Sequence, residues 1–201
     1  GLFQHYNLKS FYENYFGCKV TQDFIVNLTP FTTDGSYACT FNNAIYDCYP
    51  VFDKMPENDL FHPKESNYKY VINSPIHEFA HSFVNPITEK YNIFNDGSNY
   101  FDDIREEMSK QAYTTDDFII NEHIVRAIVI RFYNNIVKDQ ELTDMAFKYE
   151  IDAGFIYIND VVDKLKEYES NRYKYQTFED FYPEIAKAFT IKHKESGQKA
   201  M

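Results

Sequence analysis

Residues 74–86 read SPIHEFAHSFVNP, and the architecture that the sequence predicts is built around this stretch. Ser74 followed by Pro75 is typical of a helix start, because serine caps a helix and proline fits the first helical position. Core-type apolar residues then surround two histidines, and Asn85 with Pro86 favours the end of the helix. The stretch therefore predicts a helix whose first turns carry the pentad His-Glu-Phe-Ala-His at 77–81.

The pentad has the spacing of a metal site. Residues four apart lie on one face of a helix, so His77 and His81 can direct both imidazoles at one ion about 2 Å from each nitrogen. Glu78 is turned about 100° away, where it can reach a water at an open metal position and act as general base. The plain alternative is two ordinary helix histidines, but in an apolar helix such a pair needs polar partners, and an ion supplies them.

A catalytic zinc takes three protein ligands and leaves one position open, so a third residue has to come from elsewhere in the chain. The predicted third ligand is Glu122, within NEHIVRA at 121–127. It shares a helical face with apolar residues, and a carboxylate directed at a core needs a strong positive partner. The alternative is an ion pair with Arg126 one turn later. Both interactions can hold at once.

Other residues compete for these roles. His123 is a rival third ligand on the neighbouring face. Five acidic residues are weaker candidates for the third ligand, because their stretch is more typical of a solvated helix face. They are Asp96, Asp102, Asp103, Glu106 and Glu107. A group that steadies the oxyanion is also expected, and Tyr113, Arg126 and His123 lie near the second metal helix. For Tyr113 the plain alternative is an ordinary tyrosine at a helix end.

The rest of the chain predicts an α+β fold in a single zincin-like catalytic domain over 1–201. Residues 1–73 form a lobe with a helix from His5 to Phe16 that stops at Gly17, then a small antiparallel or mixed sheet. β-branched and aromatic residues place that sheet between Asp23 and Phe52, and Tyr68–Ile72 is read as a last strand.

Residues 74–201 form the metal helix and a mostly helical lobe. The predicted helices there are Asn99–Ala112, Asp116–Asn135, Glu141–Glu150, Phe155–Tyr168 and one opened by Thr177.

Composition excludes several classes of partner. The formal charge is −11, from thirty-one acidic and twenty basic side chains, and the basic residues are scattered. This argues against nucleic acid or an anionic membrane as the main partner. No run approaches the roughly 18 consecutive apolar residues of a membrane helix, so no membrane insertion is expected. Three cysteines form no metal spacing; Cys39 and Cys48 either pair across a hairpin or stay as buried thiols.

The two segments 76–86 and 121–127 together resemble the gluzincins, zinc peptidases whose third ligand is a glutamate on a later helix. They are similar in particular to a bacterial family of predicted peptidases catalogued as domain of unknown function 4932. The resemblance implies His77, His81 and Glu122 as zinc ligands and Glu78 as catalytic base.

The resemblance also implies a twisted sheet over the metal helix, with an edge strand that holds an extended substrate by backbone pairing. That edge is expected at Ala44–Phe52 or Ser36–Phe41. Two features depart from thermolysin-like enzymes: Glu122 follows His81 at a longer interval, and Arg126 stands where an acid usually follows the glutamate.

The sequence thus predicts a zinc-dependent metallopeptidase whose partner is a peptide or protein substrate. Likeness to exported and lipid-anchored proteins implies a secreted or cell-surface location, with the targeting segment absent from this chain. One alternative is a non-enzymatic binding module of a secreted or surface protein, with a structural or vestigial metal site. Another is a hydrolase of a non-peptide amide. A closed fourth coordination position would favour the binding module, because structural zinc sites are closed and catalytic ones open.

Overall fold

A computed structural model of the chain describes residues 6–29, 37–50, 65–94 and 100–198. The predicted α+β class is confirmed: a three-stranded mixed sheet lies near the N-terminus, and 65% of the structure is helical. The chain divides into two compact units, Gly1–Phe83 and Val84–Met201. In chain order the elements are α1 (Leu8–Phe16), β1 (Asp23–Thr29), β2 (Tyr37–Phe41), β3 (Ala44–Pro50), α2 (Glu65–Tyr91), α3 (Arg105–Lys110), α4 (Asp116–Phe132), a π-helical turn (Tyr133–Val137), α5 (Gln140–Asp152), α6 (Ile158–Ser170) and α7 (Phe178–Gln198).

The first helix, α1, ends where its sequence predicts but begins at Leu8, later than the predicted start at His5, which lies outside the described residues. The Asn7 side chain accepts a hydrogen bond from the backbone N–H of Ser10 at 3.0 Å and caps the start. Gly17 follows the last helical residue with a φ of 67°, in the left-handed region where glycine has no Cβ penalty. The predicted helix ending at Gly17 is confirmed.

The sheet has the strand order β1-β3-β2. Asn42 and Asn43, with φ of 46° and 61°, form the two-residue turn that joins β2 and β3 as an antiparallel hairpin. β1 runs parallel to β3, so the sheet is mixed. Because β3 is the central strand of the described sheet, the expectation that Ala44–Phe52 forms its edge is wrong. β2 lies at an edge of the described sheet, as the Ser36–Phe41 alternative requires; Ser36, Val51 and Phe52 lie outside the described residues.

The hairpin register also bears on the cysteines. Cys39 stands opposite Tyr46, and Cys48 stands opposite Tyr37, so the two cysteines are not cross-strand partners. Cys39 is an exposed thiol, which contradicts both the disulfide and the buried-thiol expectation for this residue.

The long helix α2 carries the pentad but has different ends from those predicted. It begins at Glu65 and runs to Tyr91, so the start at Ser74 and the end near Pro86 are wrong. The last strand expected at Tyr68–Ile72 is wrong for the same reason, since these residues are helical. A proline inside a helix costs about 3 kcal/mol. Burial of apolar side chains, each worth about 1.5–3 kcal/mol, offsets this cost in α2, where the buried residues include Ile76, Phe79 and Val84.

Aromatic stacking fixes the middle of α2 within the first unit. Phe24 of β1 stacks on Phe79 with ring centroids 4.6 Å apart and planes 12° from parallel. Tyr12 of α1 stacks on Phe83 at 5.0 Å, and its hydroxyl donates a hydrogen bond to the Ile76 carbonyl at 2.5 Å. The turns of α2 that carry the pentad are therefore held by both the first helix and the first strand.

The second unit is built around α4. Most residues of this helix are buried on all sides, as expected for a helix surrounded by others. It packs against α6, and α6 packs against α7. Within the described parts of the chain, no helix is both long and apolar enough to cross a bilayer.

The helices predicted after the pentad are found with shifted ends, and the first of them is much shorter than expected. Only Arg105–Lys110 is helical within the predicted span Asn99–Ala112, of which Asn99 lies outside the described residues. Turns occupy residues 100–104. The last helix opens as predicted at Thr177, whose hydroxyl accepts from the Asp180 N–H while the Asp180 carboxylate accepts from the Thr177 N–H.

One acidic side chain of the sheet is fully buried. Asp47 of β3 accepts from the Ser74 hydroxyl of α2, with its two carboxylate oxygens 3.1 and 3.2 Å from that oxygen. Burial raises the pKa of Asp47 from 3.8 to about 6, and the hydrogen bond from Ser74 only partly opposes this. Between pH 3.8 and 6 the folded state therefore binds more protons than the unfolded state. The free energy of unfolding falls as the pH rises through this window.

We expect Asp47→Asn to stabilise the protein at neutral pH, because the amide keeps an acceptor for Ser74 and carries no charge. The predicted increase in the free energy of unfolding is about 1–3 kcal/mol at pH 7.5 and falls to about 1 kcal/mol or less at pH 4.5. Urea unfolding followed by circular dichroism measures both values. Asp23→Asn, at an exposed position of β1, is the matched control and should show no comparable gain. Equal effects of Asp47→Asn at the two pH values would contradict the burial of a charged carboxylate.

Candidate metal centre

The two histidines of the pentad face each other on α2. The Nε2 atoms of His77 and His81 lie 3.1 Å apart, with ring planes 75° from parallel. A neutral imidazole nitrogen carries either a lone pair or a proton. Two Nε2 lone pairs at this distance repel each other unless a proton or a cation lies between them. The one-turn spacing therefore brings both rings to one point, as the sequence predicts.

Glu122 of α4 completes a group of three. One ligand atom from each of His77, His81 and Glu122 lies within 4.8 Å of the other two. A tetrahedral zinc ion with bonds of about 2.0–2.1 Å holds its ligand atoms about 3.3 Å apart. The two imidazole nitrogens, 3.1 Å apart, already have nearly this separation, and a Glu122 carboxylate oxygen lies within 4.8 Å of each histidine's ligand atom. Two nitrogens and one carboxylate oxygen form a donor set that suits a divalent metal, so this group could hold a metal ion.

Glu78 lies next to the first histidine and is not part of the group of three. Its residue is only 8% exposed, so the carboxylate is largely removed from bulk water. Its predicted role as general base stays a prediction.

A second set of contacts holds the Glu122 carboxylate. Arg126, one turn further along α4, donates from Nε to Glu122 Oε2 at 3.1 Å. The same guanidinium donates from Nη1 to Glu150 Oε2 at 2.8 Å and from Nη2 to the Tyr113 hydroxyl at 3.1 Å. Its central carbon lies 4.2 Å from the ring centroid of Phe155, in a cation–π contact. Glu122 thus belongs to the candidate metal group and also forms the predicted ion pair with Arg126.

Burial and charge set the protonation of this cluster. Burial disfavours the charge of Arg126, but the Glu150 and Glu122 carboxylates outweigh this and raise its pKa above the ordinary value. Burial raises the pKa of Glu150, and the Arg126 guanidinium partly opposes that shift. Burial, together with the negative charge of Glu122, raises the pKa of Tyr113 to about 12. The tyrosine therefore keeps its proton at neutral pH.

His123, the rival ligand, lies outside the group of three. It is fully buried, and its Nδ1 donates a hydrogen bond to the carbonyl of Ile119 at 2.7 Å. Its ring packs edge-on against Phe155 with centroids 4.9 Å apart. One residue further along a helix turns a side chain by about 100°, which directs His123 into the aromatic core of the second unit.

The acidic rivals among the described residues also lie outside the group, and most of them pair with nearby basic residues. Asp102 pairs with Arg105, and both Glu106 and Glu107 pair with Lys110. Asp103 accepts a hydrogen bond from the Tyr157 hydroxyl at 3.3 Å. Asp96 lies outside the described residues.

Glu150 is a member of the cluster to which the sequence interpretation gave no role. It is the end residue of a predicted helix, and it shares a face with Thr143, Ala146 and Phe147 at helical spacing. The reasoning that identified Glu122, a carboxylate on a core-facing stripe, applies equally to this position. What the sequence could not supply is the partner, because Arg126 lies on a different helix.

The comparisons with known proteins give one match. A family model described as a domain of unknown function (DUF4932) matches residues 3–188, which include the three candidate ligands and the arginine cluster. No curated protein and no solved structure matches the chain.

We expect metal-free protein to take up about one zinc ion per chain. Free zinc at 100 times its Kd should raise the free energy of unfolding by about 2.7 kcal/mol, which corresponds to a rise of roughly 5–10 °C in Tm. Replacing a ligand, as in His81→Ala or Glu122→Gln, should weaken zinc binding by more than about 100-fold, since changes outside the ligand set already cost 10–100-fold. Calorimetric titration and thermal unfolding measure these effects.

Glu106→Gln serves as the control for these ligand variants. It removes one negative charge from the exposed acidic stretch that competed with Glu122, and it should bind zinc as the unmodified protein does. Weakened binding in this variant together with normal binding in Glu122→Gln would place the metal elsewhere.

Proposed function

The chain belongs to the family described as a domain of unknown function (DUF4932), and we propose that it is a zinc-dependent metallopeptidase of the gluzincin type. The observation that carries this proposal is the convergence of His77, His81 and Glu122 on one point, with Glu78 next to the first of them. The proposed substrate is a peptide or protein, and the proposed location is secreted or at the cell surface.

The donor set supports zinc in an open site. Two histidines and one glutamate are the protein ligands of several catalytic zinc centres, which keep one position for water. A structural zinc site would use a fourth protein ligand, and the group found within the described residues has three members. Ferrous iron also binds two histidines and a carboxylate, but an additional glutamate beside the first histidine is the feature of zinc hydrolases.

Glu78 is the proposed proton carrier. Bound zinc supplies Lewis-acid chemistry, which polarises a peptide carbonyl and makes water more acidic. Glu78 accepts a proton from the water whose oxygen attacks the carbonyl carbon. It then donates this proton to the amine nitrogen as the carbon–nitrogen bond breaks. The burial of Glu78 favours this role, because it limits exchange of the transferred proton with bulk water.

Tyr113 is proposed to steady the oxyanion. Its hydroxyl is protonated at neutral pH and so can donate a hydrogen bond to developing negative charge. Arg126 was expected to share this task. Three of its nitrogens already donate to Glu122, Glu150 and Tyr113, which favours a supporting role through these residues.

An extended peptide is proposed to bind along β2. This strand lies at an edge of the described sheet, and its partner on the inner side is β3. Tyr37 and Phe41 on β2 are exposed large side chains, which suit contact with an apolar substrate residue. Backbone pairing at a sheet edge gives affinity with little demand on the substrate sequence.

We expect Glu78→Gln to bind zinc as tightly as the unmodified protein, within about threefold, and to lose cleavage activity by at least about 100-fold, because only the proton carrier is removed. The substrate is a pool of denatured proteins, and new N-termini are counted by mass spectrometry after incubation with zinc-loaded protein. Glu89→Gln, at an exposed position on the same helix, is the control and should retain full activity.

Zinc-loaded protein that cleaves nothing in this pool would contradict the peptidase proposal and favour the binding module. Full cleavage by Glu78→Gln would instead show that another group carries the proton. The metal-free protein can also be offered zinc and ferrous iron together. Selective binding of iron would contradict the assignment of the protein as a hydrolase.

A further inference from the structure

We propose that Glu150 is a positioning residue for the metal centre. Glu150 pairs with Arg126 and compensates its positive charge, so that the Glu122 carboxylate remains available to bind the cation. This inference rests on the proposed metal site and concerns a residue outside the ligand set. It starts from a conflict in the structure: the carboxylate that would bind the metal also accepts a hydrogen bond from a permanently charged guanidinium.

Arg126 alone would weaken a metal site. A positive charge 3.1 Å from Glu122 Oε2 neutralises the ligand and repels a divalent cation. The cluster is buried, because the side chains of Arg126, Glu122 and Glu150 are 15%, 10% and 9% exposed. Water therefore screens these charges poorly, and their balance matters for cation binding.

Glu150 changes this balance. Its Oε2 accepts from Arg126 Nη1 at 2.8 Å, a shorter contact than the 3.1 Å between Arg126 Nε and Glu122. One guanidinium shared by two carboxylates leaves one excess negative charge in the cluster. This excess negative charge compensates the positive charge of a cation bound by Glu122. Such compensation is needed because an unpaired buried charge is costly.

The geometry also fixes which oxygen of Glu122 faces Arg126. The guanidinium is a planar fork, and its nitrogens are directed at three separate acceptors, on Glu122, Glu150 and Tyr113. The ring of Phe155 lies under its plane at 4.2 Å. With the fork held in this way, Oε2 of Glu122 is engaged by Nε, and the carboxylate cannot turn without breaking that bond.

The turn before Phe155 has a matching constraint. Gly154 has a φ of 91°, and a Cβ there would lie 3.0 Å from Glu107 Cγ. A glycine is needed at this position, between the helix that carries Glu150 and the ring that covers Arg126. The backbone of this short segment thus positions two of the groups that contact the guanidinium, the Glu150 carboxylate and the Phe155 ring.

The test is the zinc Kd of Glu150→Gln, measured by competition with a chromophoric chelator. The amide keeps the size of the side chain and an acceptor for Arg126 but removes the negative charge. We expect zinc binding to weaken by at least about 10-fold. Glu141→Gln, at an exposed position on the same helix, makes the same change in net charge and should bind zinc as the unmodified protein does.

A double variant that restores the net charge of the cluster tells whether Glu150 acts by positioning Arg126 and Glu122 or has a purely structural role. In Arg126→Gln combined with Glu150→Gln, the excess negative charge of the cluster is restored, so zinc binding should recover to a Kd tighter than that of Glu150→Gln alone. A structural role predicts the opposite, because two buried contacts are lost in place of one. With cobalt in place of zinc, the absorption spectrum of Glu150→Gln should differ from that of the unmodified protein, and the spectrum of the double variant should return towards it.

Arg126→Lys gives a second route if Glu150→Gln does not fold. It keeps the positive charge but lacks the fork that reaches Glu122 and Glu150 together, so zinc binding should again weaken by about 10-fold. Unchanged zinc affinity in Glu150→Gln, or in Arg126→Lys if that variant is the one measured, overturns the role of Glu150 and leaves the metal site intact. Unmodified protein that takes up no zinc overturns both the positioning role and the proposed function.

Discussion

The candidate metal centre depends on two imidazole nitrogens that lie 3.1 Å apart. Helix geometry places His77 and His81 in one row, and stacking of Phe24 on Phe79 holds that part of the helix in place. Two ring nitrogens so close together need a shared proton or cation between them. A carboxylate from another helix, Glu122, lies near the same point and adds negative charge. Such an arrangement could hold a metal ion.

In the second unit, the Glu122 carboxylate is buried, and its charge has to be compensated. Most buried residues of α4 are apolar, and a charge among them carries a large desolvation cost. That cost is offset by a network in which Arg126 lies between Glu122 and Glu150 and above Phe155. A network of this kind contributes little net stability compared with apolar residues of the same size. The proposed role of Glu122 as a metal ligand gives this network a purpose that net stability does not.

Much of the site could be predicted from local patterns, and the remainder could not. The His-Glu-x-x-His spacing is set by helix pitch alone, and Glu122 was identified because it interrupts an apolar stripe. Gly17 ended α1 as expected. In contrast, Ser74 and Pro75 indicated a helix start that tertiary burial overrode, because α2 continues through both of its prolines. The central position of β3 and the pairing of Glu150 with Arg126 depend on segments distant in sequence, which no local pattern encodes.

The central claim is that one cation is shared by the two imidazoles and the distant carboxylate. The most direct measurement is a crystal structure of zinc-loaded protein with anomalous diffraction recorded on both sides of the zinc absorption edge. A single strong anomalous peak is predicted within about 2.2 Å of His77 Nε2, of His81 Nε2 and of one Glu122 carboxylate oxygen. An ordered zinc peak elsewhere, or a zinc ion bound by the histidines while Glu122 stays turned away with Arg126, would contradict this claim.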